Sequence, residues 1–186
     1  ALVRSPEKFG FSNDKLNVVA GDLLDKEAIT KVVSNADYII CVAGYSKPAH
    51  KNLMFNFIQT LHPIMVQERV NNLIYQANAL CYLPKKEKPF LVKLTRNFIG
   101  RLTGLEKSLA DHDKVIDYIK NKMPSKKINV IVTLPGAGGL NPGASEKELT
   151  VQDKVVFQPS KFIDVAKFTI NNMGNKKHAG KLLYIA

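Results

Sequence analysis

Residues Asn17 to Gly44, NVVAGDLLDKEAITKVVSNADYIICVAG, limit the possible fold more than any other stretch of the chain. Val18, Val19 and Ala20 run into Gly21 and Asp22, which reads as a strand followed by an acidic turn. Asp25 is placed to cap a helix whose apolar positions Ala28, Ile29, Val32 and Val33 recur at helical spacing. Tyr38 to Ala43 is then apolar without alternation, the pattern of a strand covered on both faces inside a parallel sheet. Such sheets bind ligands just beyond the carboxyl ends of their strands. Asp22 and Gly44 stand at two of those ends, and a glycine leaves room for close approach by a ligand.

The chain has 186 residues, 45% of them hydrophobic, enough for a single domain spanning 1–186 with a real core. No apolar run approaches the roughly 20 residues of a membrane helix, and ALVRSPEKFG lacks the apolar centre of a signal peptide. No membrane partner is expected. Cys41 and Cys81 are the only cysteines; a disulfide framework is not expected, and a reducing, cytoplasmic setting is the default. His50, His62, His112 and His178 are scattered and no cysteine pair has ligand spacing, so no metal site is expected. The net charge of +11 has three readings. One is a solvated lysine-rich surface, and another is a basic rim around an anionic small ligand such as a dinucleotide phosphate. The third, nucleic acid, ranks last, because aromatic residues are not interleaved with the lysines.

Several motifs carry a family resemblance. GDLLD, the helix after it and ADYIICVAG resemble the third to fourth strands of the atypical short-chain dehydrogenases. LVRSPEK resembles their second strand and its end, and IDVAKF one of their late helices. The nearest groups are the NmrA-like proteins and the flavin reductase/biliverdin-IXβ reductase type. The resemblance implies a three-layer Rossmann-like α/β fold, a mostly parallel sheet with helices on both faces. It also implies that the first strand, its Gly-rich turn and the first helix are missing before Ala1. In the 3-2-1-4 strand order that strand is central, so a gap in the sheet is expected.

The resemblance further implies an NADP site. Arg4, at the end of the second strand, would pair with a ribose 2′-phosphate, unless it is simply a solvated strand-end arginine. Asp22 and Leu23 would frame the adenine, while Ala43 and Gly44 would let the ribose and pyrophosphate pass. Tyr45 either lines the nicotinamide side or is a loop tyrosine, and residues 46–62 form a variable segment. A helix is expected from Pro63 to Leu80, with Val66, Val70, Leu73, Ile74 and Ala77 buried, and a fifth strand from Phe90 to Thr95. Thr95 then takes the place of the family's serine, its hydroxyl toward a substrate carbonyl; the alternative is a plain strand-end threonine. Arg96 beside it either binds an anionic substrate or crowds the site.

A loop is expected over 97–107 and a helix from Ser108 to Lys122, with Leu109, His112, Ile116 and Ile119 on one face. Tyr118-x-x-x-Lys122 spells the dehydrogenase pattern. By register, however, the family lysine is Lys114, and its tyrosine is replaced by Ala110. Asp111-His112 resembles an Asp-His pair of the flavin reductase group. His112 either meets the substrate or its proton source, or is a half-buried stripe histidine. Ile128 to Leu134 reads as the sixth strand. The PGAGG after it is not a phosphate loop, since Asn141 stands where the third glycine belongs and Pro142 blocks the helix. It resembles the family's Pro-Gly turn, which implies backbone contact from Pro135 and Gly136 to the cofactor. A short strand is expected at 154–157, a helix from Ser160 burying Phe162, Val165, Ala166 and Ile170, and a closing strand from Lys181 to Ala186. The implied activity is an NADPH-dependent reductase with a small-molecule acceptor: a flavin, quinone or enone. The alternative is a non-catalytic NADP(H)-binding redox sensor acting through protein partners. The sequence sets no oligomeric state.

Overall fold

The structure, a computed structural model, describes residues 1–44, 52–82, 90–123, 128–145 and 147–186, apart from the side chain of residue 99. Strands β1 (Leu2–Val3) and β2 (Val19–Ala20) pair in parallel as a separate ribbon. Helix α1 (Lys26–Val33) leads to β3 (Ile39–Cys41), α2 (Leu53–Gln67) and β4 (Asn72–Gln76). Helices α3 (Phe90–Thr103) and α4 (Glu106–Lys122) follow, then β5 (Asn129–Pro135). Short strands β6 (Leu140–Asn141), β7 (Val151–Gln152) and β8 (Ser160–Lys161) precede α5 (Phe162–Asn171) and β9 (Leu182–Ile185). The main sheet has the order β3-β4-β5-β9-β7, parallel except for β7 against β9.

Alternation along the central strands builds three layers. Leu73 and Tyr75 of β4, with Val130 and Val132 of β5, face a core made by α1, α2 and α4. Ile74 and Ile131 face the opposite way, onto Val165 and Phe168 of α5 and Leu183 and Ile185 of β9. Each fully buried aliphatic side chain contributes about 1.5–3 kcal/mol. The Rossmann-like expectation therefore holds. Asp25 caps α1 as its position suggests, accepting from the Ala28 N–H at 3.0 Å.

Several elements differ from expectation. The helix expected from Pro63 to Leu80 is a helix that encloses Pro63 and a strand that follows it. Helix α2 begins ten residues earlier, at Leu53, and its N-cap Asn52 makes no side-chain cap. The cap comes instead from α4: Asp111 accepts from the N–H groups of Met54 (2.8 Å) and Phe55 (3.0 Å). A carboxylate satisfies the orphan donors and complements the helix dipole, but no local motif announces it. After Gln67 the chain turns through Arg69 in the left-handed region (φ 58°), and NLIYQ pairs on both sides as β4.

The expected strand Phe90–Thr95 lies within α3, so Thr95 stands on a helix and the strand-end place argued for it belongs to Gln76. Residues 97–103 continue that helix, and α4 starts at Glu106 rather than at a Ser108 cap. Strand β3 is an edge strand of the main sheet, with Ile40 and Val42 exposed, not the covered interior strand its apolar run suggested. No strand forms at 154–157; there the Val156 carbonyl accepts from the Ala137 N–H, tying this segment across the turn after β5. In α5 only Val165 of the four expected positions is buried, while Phe162, Ala166 and Ile170 are exposed. The helix is rotated because Asp164 is held inward, accepting from the Ser145 N–H at 2.9 and 3.1 Å.

Candidate functional site

The carboxyl ends of β3, β4 and β5 open into one cleft of about 260 Å³. Val42, Ala43 and Gly44 form one wall, Gln76, Ala77 and Asn78 the centre, and Pro135, Gly136, Gly139 and Leu140 the far wall. Leu105, Ser108 and His112 close it from the start of α4. Among the described residues nothing lies within 4 Å of where a Gly44 Cβ would stand, so no described neighbour packs against its bare backbone. Gly136 is the reverse case: a Cβ there would run into the Gln158 carbonyl. The Gly136 N–H is also spent, donating to Ser160 Oγ at 3.0 Å. The expected backbone contact through that N–H is therefore not available, and Gly136 contributes shape.

A second, apolar slot of about 400 Å³ adjoins the cleft. Ala1 and Leu2 stand on one side of it and Tyr38 to Ala43 on the other, with Leu23, Ile29 and Val33 among its walls. It separates the β1-β2 ribbon from the main sheet. Leu23 and Ala43 line this slot together, and Ala43 also lines the cleft, so the tips of β2 and β3 share one rim. Arg4 follows β1 directly and is exposed; Val3 pairs with Ala20, which sets Arg4 beside the Gly21-Asp22 turn. Asp22 Oδ1 accepts from the Leu24 N–H at 3.0 Å, so one of its oxygens shapes its own turn.

The chemistry-bearing group in the cleft is His112. Its Nδ1 shares a 2.7 Å hydrogen bond with the Tyr75 hydroxyl, both side chains being buried. That leaves Nε2 for a ligand. Burial lowers the His112 pKa below the ordinary imidazole value, with Asp111 and Asp113 pulling the other way, so the ring is neutral near pH 7. Burial also drives the Tyr75 phenol well above its ordinary range, helped by Cys41, Cys81 and Asp111, so it stays protonated. Asp111, next to His112, is occupied with capping α2. Burial pushes the Cys41 thiol up to about 11 and that of Cys81 up to about 12, which removes both as nucleophiles.

Of the residues expected at the site, Ala43, Gly44, His112, Pro135 and Gly136 come together here. Thr95 and Lys114 are not among the lining residues. Thr95 is carried away on α3, and Lys114 Nζ donates to Asn52 Oδ1 at 2.8 Å at the start of α2. Arg96 neither binds in the cleft nor crowds it. It pairs with Asp113 through two contacts of 2.7 and 3.1 Å, donates to the Leu80 carbonyl at 3.2 Å, and lies 3.9 Å from the Tyr82 ring centre. Tyr118 bonds to His62 at 3.1 Å and also stands outside the cleft, as the register argument for Tyr118-x-x-x-Lys122 required. Tyr45 falls outside the described residues. Tyr75, Gln76 and Asn78 are not among the residues the sequence points to. Reading YQAN as the tip of a strand, rather than the middle of a helix, is the signal that finds them.

A family model described as NAD(P)H-binding matches residues 1–176. Among solved structures, the oxidoreductase ylbE from Lactococcus lactis is 16% identical over 99% of this chain and 77% of its own, with a TM-score of 0.73. ChuY from Escherichia coli O157:H7, described as an anaerobillin reductase, is 14% identical over 90% of this chain and 73% of its own, with a TM-score of 0.66. A wide-type short-chain dehydrogenase/reductase from Veillonella parvula, solved in complex with NADP, is 11% identical over 94% of this chain and 74% of its own, with a TM-score of 0.66. At these identities the likeness is one of fold. No curated protein sequence matches the chain. The family match takes in every strand tip around the cleft, and on that ground the chain belongs to the NAD(P)H-binding family.

Proposed function

We propose that the chain is an NADPH-dependent reductase acting on a small electron-poor acceptor such as a flavin, a quinone or an enone. The observation that carries this reading is His112, which lines a cleft at the strand tips while its Nδ1 is bonded to the hydroxyl of the buried Tyr75. The rim also fits a nicotinamide dinucleotide: Gly44 is open where a backbone must approach a ligand, and the tip of β2 lies on the same side. Arg4 would hold the 2′-phosphate, Asp22 and Leu23 the adenine, and Ala43, Gly44 and Pro135 the passage toward the acceptor. When bound, the cofactor supplies the hydride. The protein's part is placement and electrostatics. With Tyr75 donating to Nδ1, the neutral His112 ring keeps its proton on Nε2. There it donates to an acceptor atom that gains negative charge.

Fluorescence titration and a turnover assay test this. NADPH is expected to bind more tightly than NADH, and Arg4→Ala should weaken NADPH about ten- to hundredfold while sparing NADH. Oxidation of NADPH with flavin or quinone acceptors should fall about a hundredfold in His112→Ala. Tight binding with no oxidation of NADPH by any of the three acceptor classes would assign the chain to redox sensing instead. An Arg4→Ala variant that still prefers NADPH removes Arg4 from the site.

A further inference from the structure

Helix α3 is built inside out. Its buried face holds Val92, Arg96 and Gly100, and Arg96 is tied to Asp113, the Leu80 carbonyl and the Tyr82 ring. Its outer face carries Phe90, Leu91, Leu94, Phe98 and Leu102, each 54–78% exposed. At 3.6 residues per turn these five fall within an arc of about 120°, a continuous stripe along the whole helix. Arg101 stands within the stripe and Lys93 on its flank, both exposed. From Phe90 to Leu105 the sequence contains no Asp or Glu, and the chain as a whole carries +11. Five large apolar side chains left in water along one helix are a patch that calls for a covering surface.

We propose that the outer face of α3 docks on the surface of an anionic lipid bilayer. A helix with an apolar stripe, cations at its margin and no acid lies in the plane of the interface, its stripe sunk to the headgroup–acyl boundary. Lys93 and Arg101 are long enough to reach lipid phosphates while their stems stay along the apolar surface. The charge decides between occupants: a second copy would bring two like-charged faces together, whereas an anionic bilayer is attracted by the same +11. The contact is superficial, since no helix among the described residues is long and apolar enough to cross a membrane. The proposal is independent of the reductase reading, as no residue of the stripe lines the cleft.

Vesicle co-sedimentation of the whole chain tests it. The protein should pellet with vesicles of phosphatidylcholine mixed with phosphatidylserine, pellet far less with phosphatidylcholine alone, and be released by salt. The double variant Leu94→Glu with Phe98→Glu should lose the binding while melting like the parent, because both side chains are already in water. Lys93→Gln with Arg101→Gln should weaken it roughly thirtyfold, about fivefold per cation. The proposal is overturned by a protein that ignores both kinds of vesicle, or by variants that pellet as the parent does. It is equally overturned by self-association in vesicle-free buffer that disappears in the Leu94→Glu, Phe98→Glu variant, which would give the stripe to a second copy.

Discussion

Helices α3 and α4 are neighbours in sequence and in space, and they treat the same burial problem in opposite senses. In α4 the apolar stripe Leu109, Val115, Ile116 and Ile119 faces the sheet, and the lysines face water. In α3 an arginine faces inward and the phenylalanines and leucines face water. What differs is the driving force. Helix α4 is held by apolar area removed from water, the usual source of helix stability in a protein. Helix α3 is held on its inward face by Val92, which joins the apolar core, and by one guanidinium that meets a carboxylate, a carbonyl and an aromatic ring. An amphipathic helix need not point its apolar stripe at the core when the polar stripe contains a residue with enough partners there.

The largest test of this contrast compares one truncation on each helix. Ile116→Ala empties a fully buried site and should cost about 3–4 kcal/mol in chemical denaturation. Leu94→Ala removes a side chain that is already solvated and should stay within about 0.5 kcal/mol of the parent. Similar losses from the two changes would mean that α3 is packed by its stripe after all. A smaller effect belongs to Arg96→Ala, which leaves Asp113 without its cation. Breaking a fully buried pair costs about 3–5 kcal/mol. Here Asp113 keeps some water access, its side chain being 22% exposed, so a loss of about 2 kcal/mol is expected. If α3 depends on that contact as described, tryptic cleavage at Arg101 should accelerate in the variant while α4 stays protected.

The same contrast explains which parts of the molecule could be read from the chain. Helix α1, α4 and β5 announce themselves locally: a capping aspartate, a four-residue stripe, a continuous apolar run that ends in Pro-Gly. Helix α3 hides, because FLVKL is as good a strand pattern as it is one edge of a helical stripe. The decisive partner, Asp113, is 17 residues further on. Helix α2 hides for a similar reason, its cap being Asp111, 57 residues from Met54. A helix expected from Pro63 onward takes in β4, and Tyr75, Gln76 and Asn78 leave the site with it. His112 stays in view because α4 keeps the expected register. The exposure of β3 is not legible in the sequence, since its apolar run looks the same at an edge as inside.

The smallest effect concerns pH, and it separates the two helices once more. Helix α4 carries His112 on its buried face, whereas the buried polar side chain of α3 is Arg96. The folded pKa of His112 is lowered by burial, so the unfolded chain binds its proton first as the solution acidifies. The stability tied to the neutral ring is therefore present in full above the unfolded value near 6.5 and is lost as pH falls from there through the lowered folded value. His62 on α2 is shifted in the same direction by burial and adds a slope of the same sign. Denaturation midpoints measured between about pH 8 and about pH 5 should fall on the acid side for the parent and fall less for His112→Leu, with the remainder assigned to His62. A His112→Leu slope equal to the parent's would mean that the ring protonates in place at no cost to folding. Burial would then not be holding it neutral, and the donor assigned to Nε2 would have to be an imidazolium.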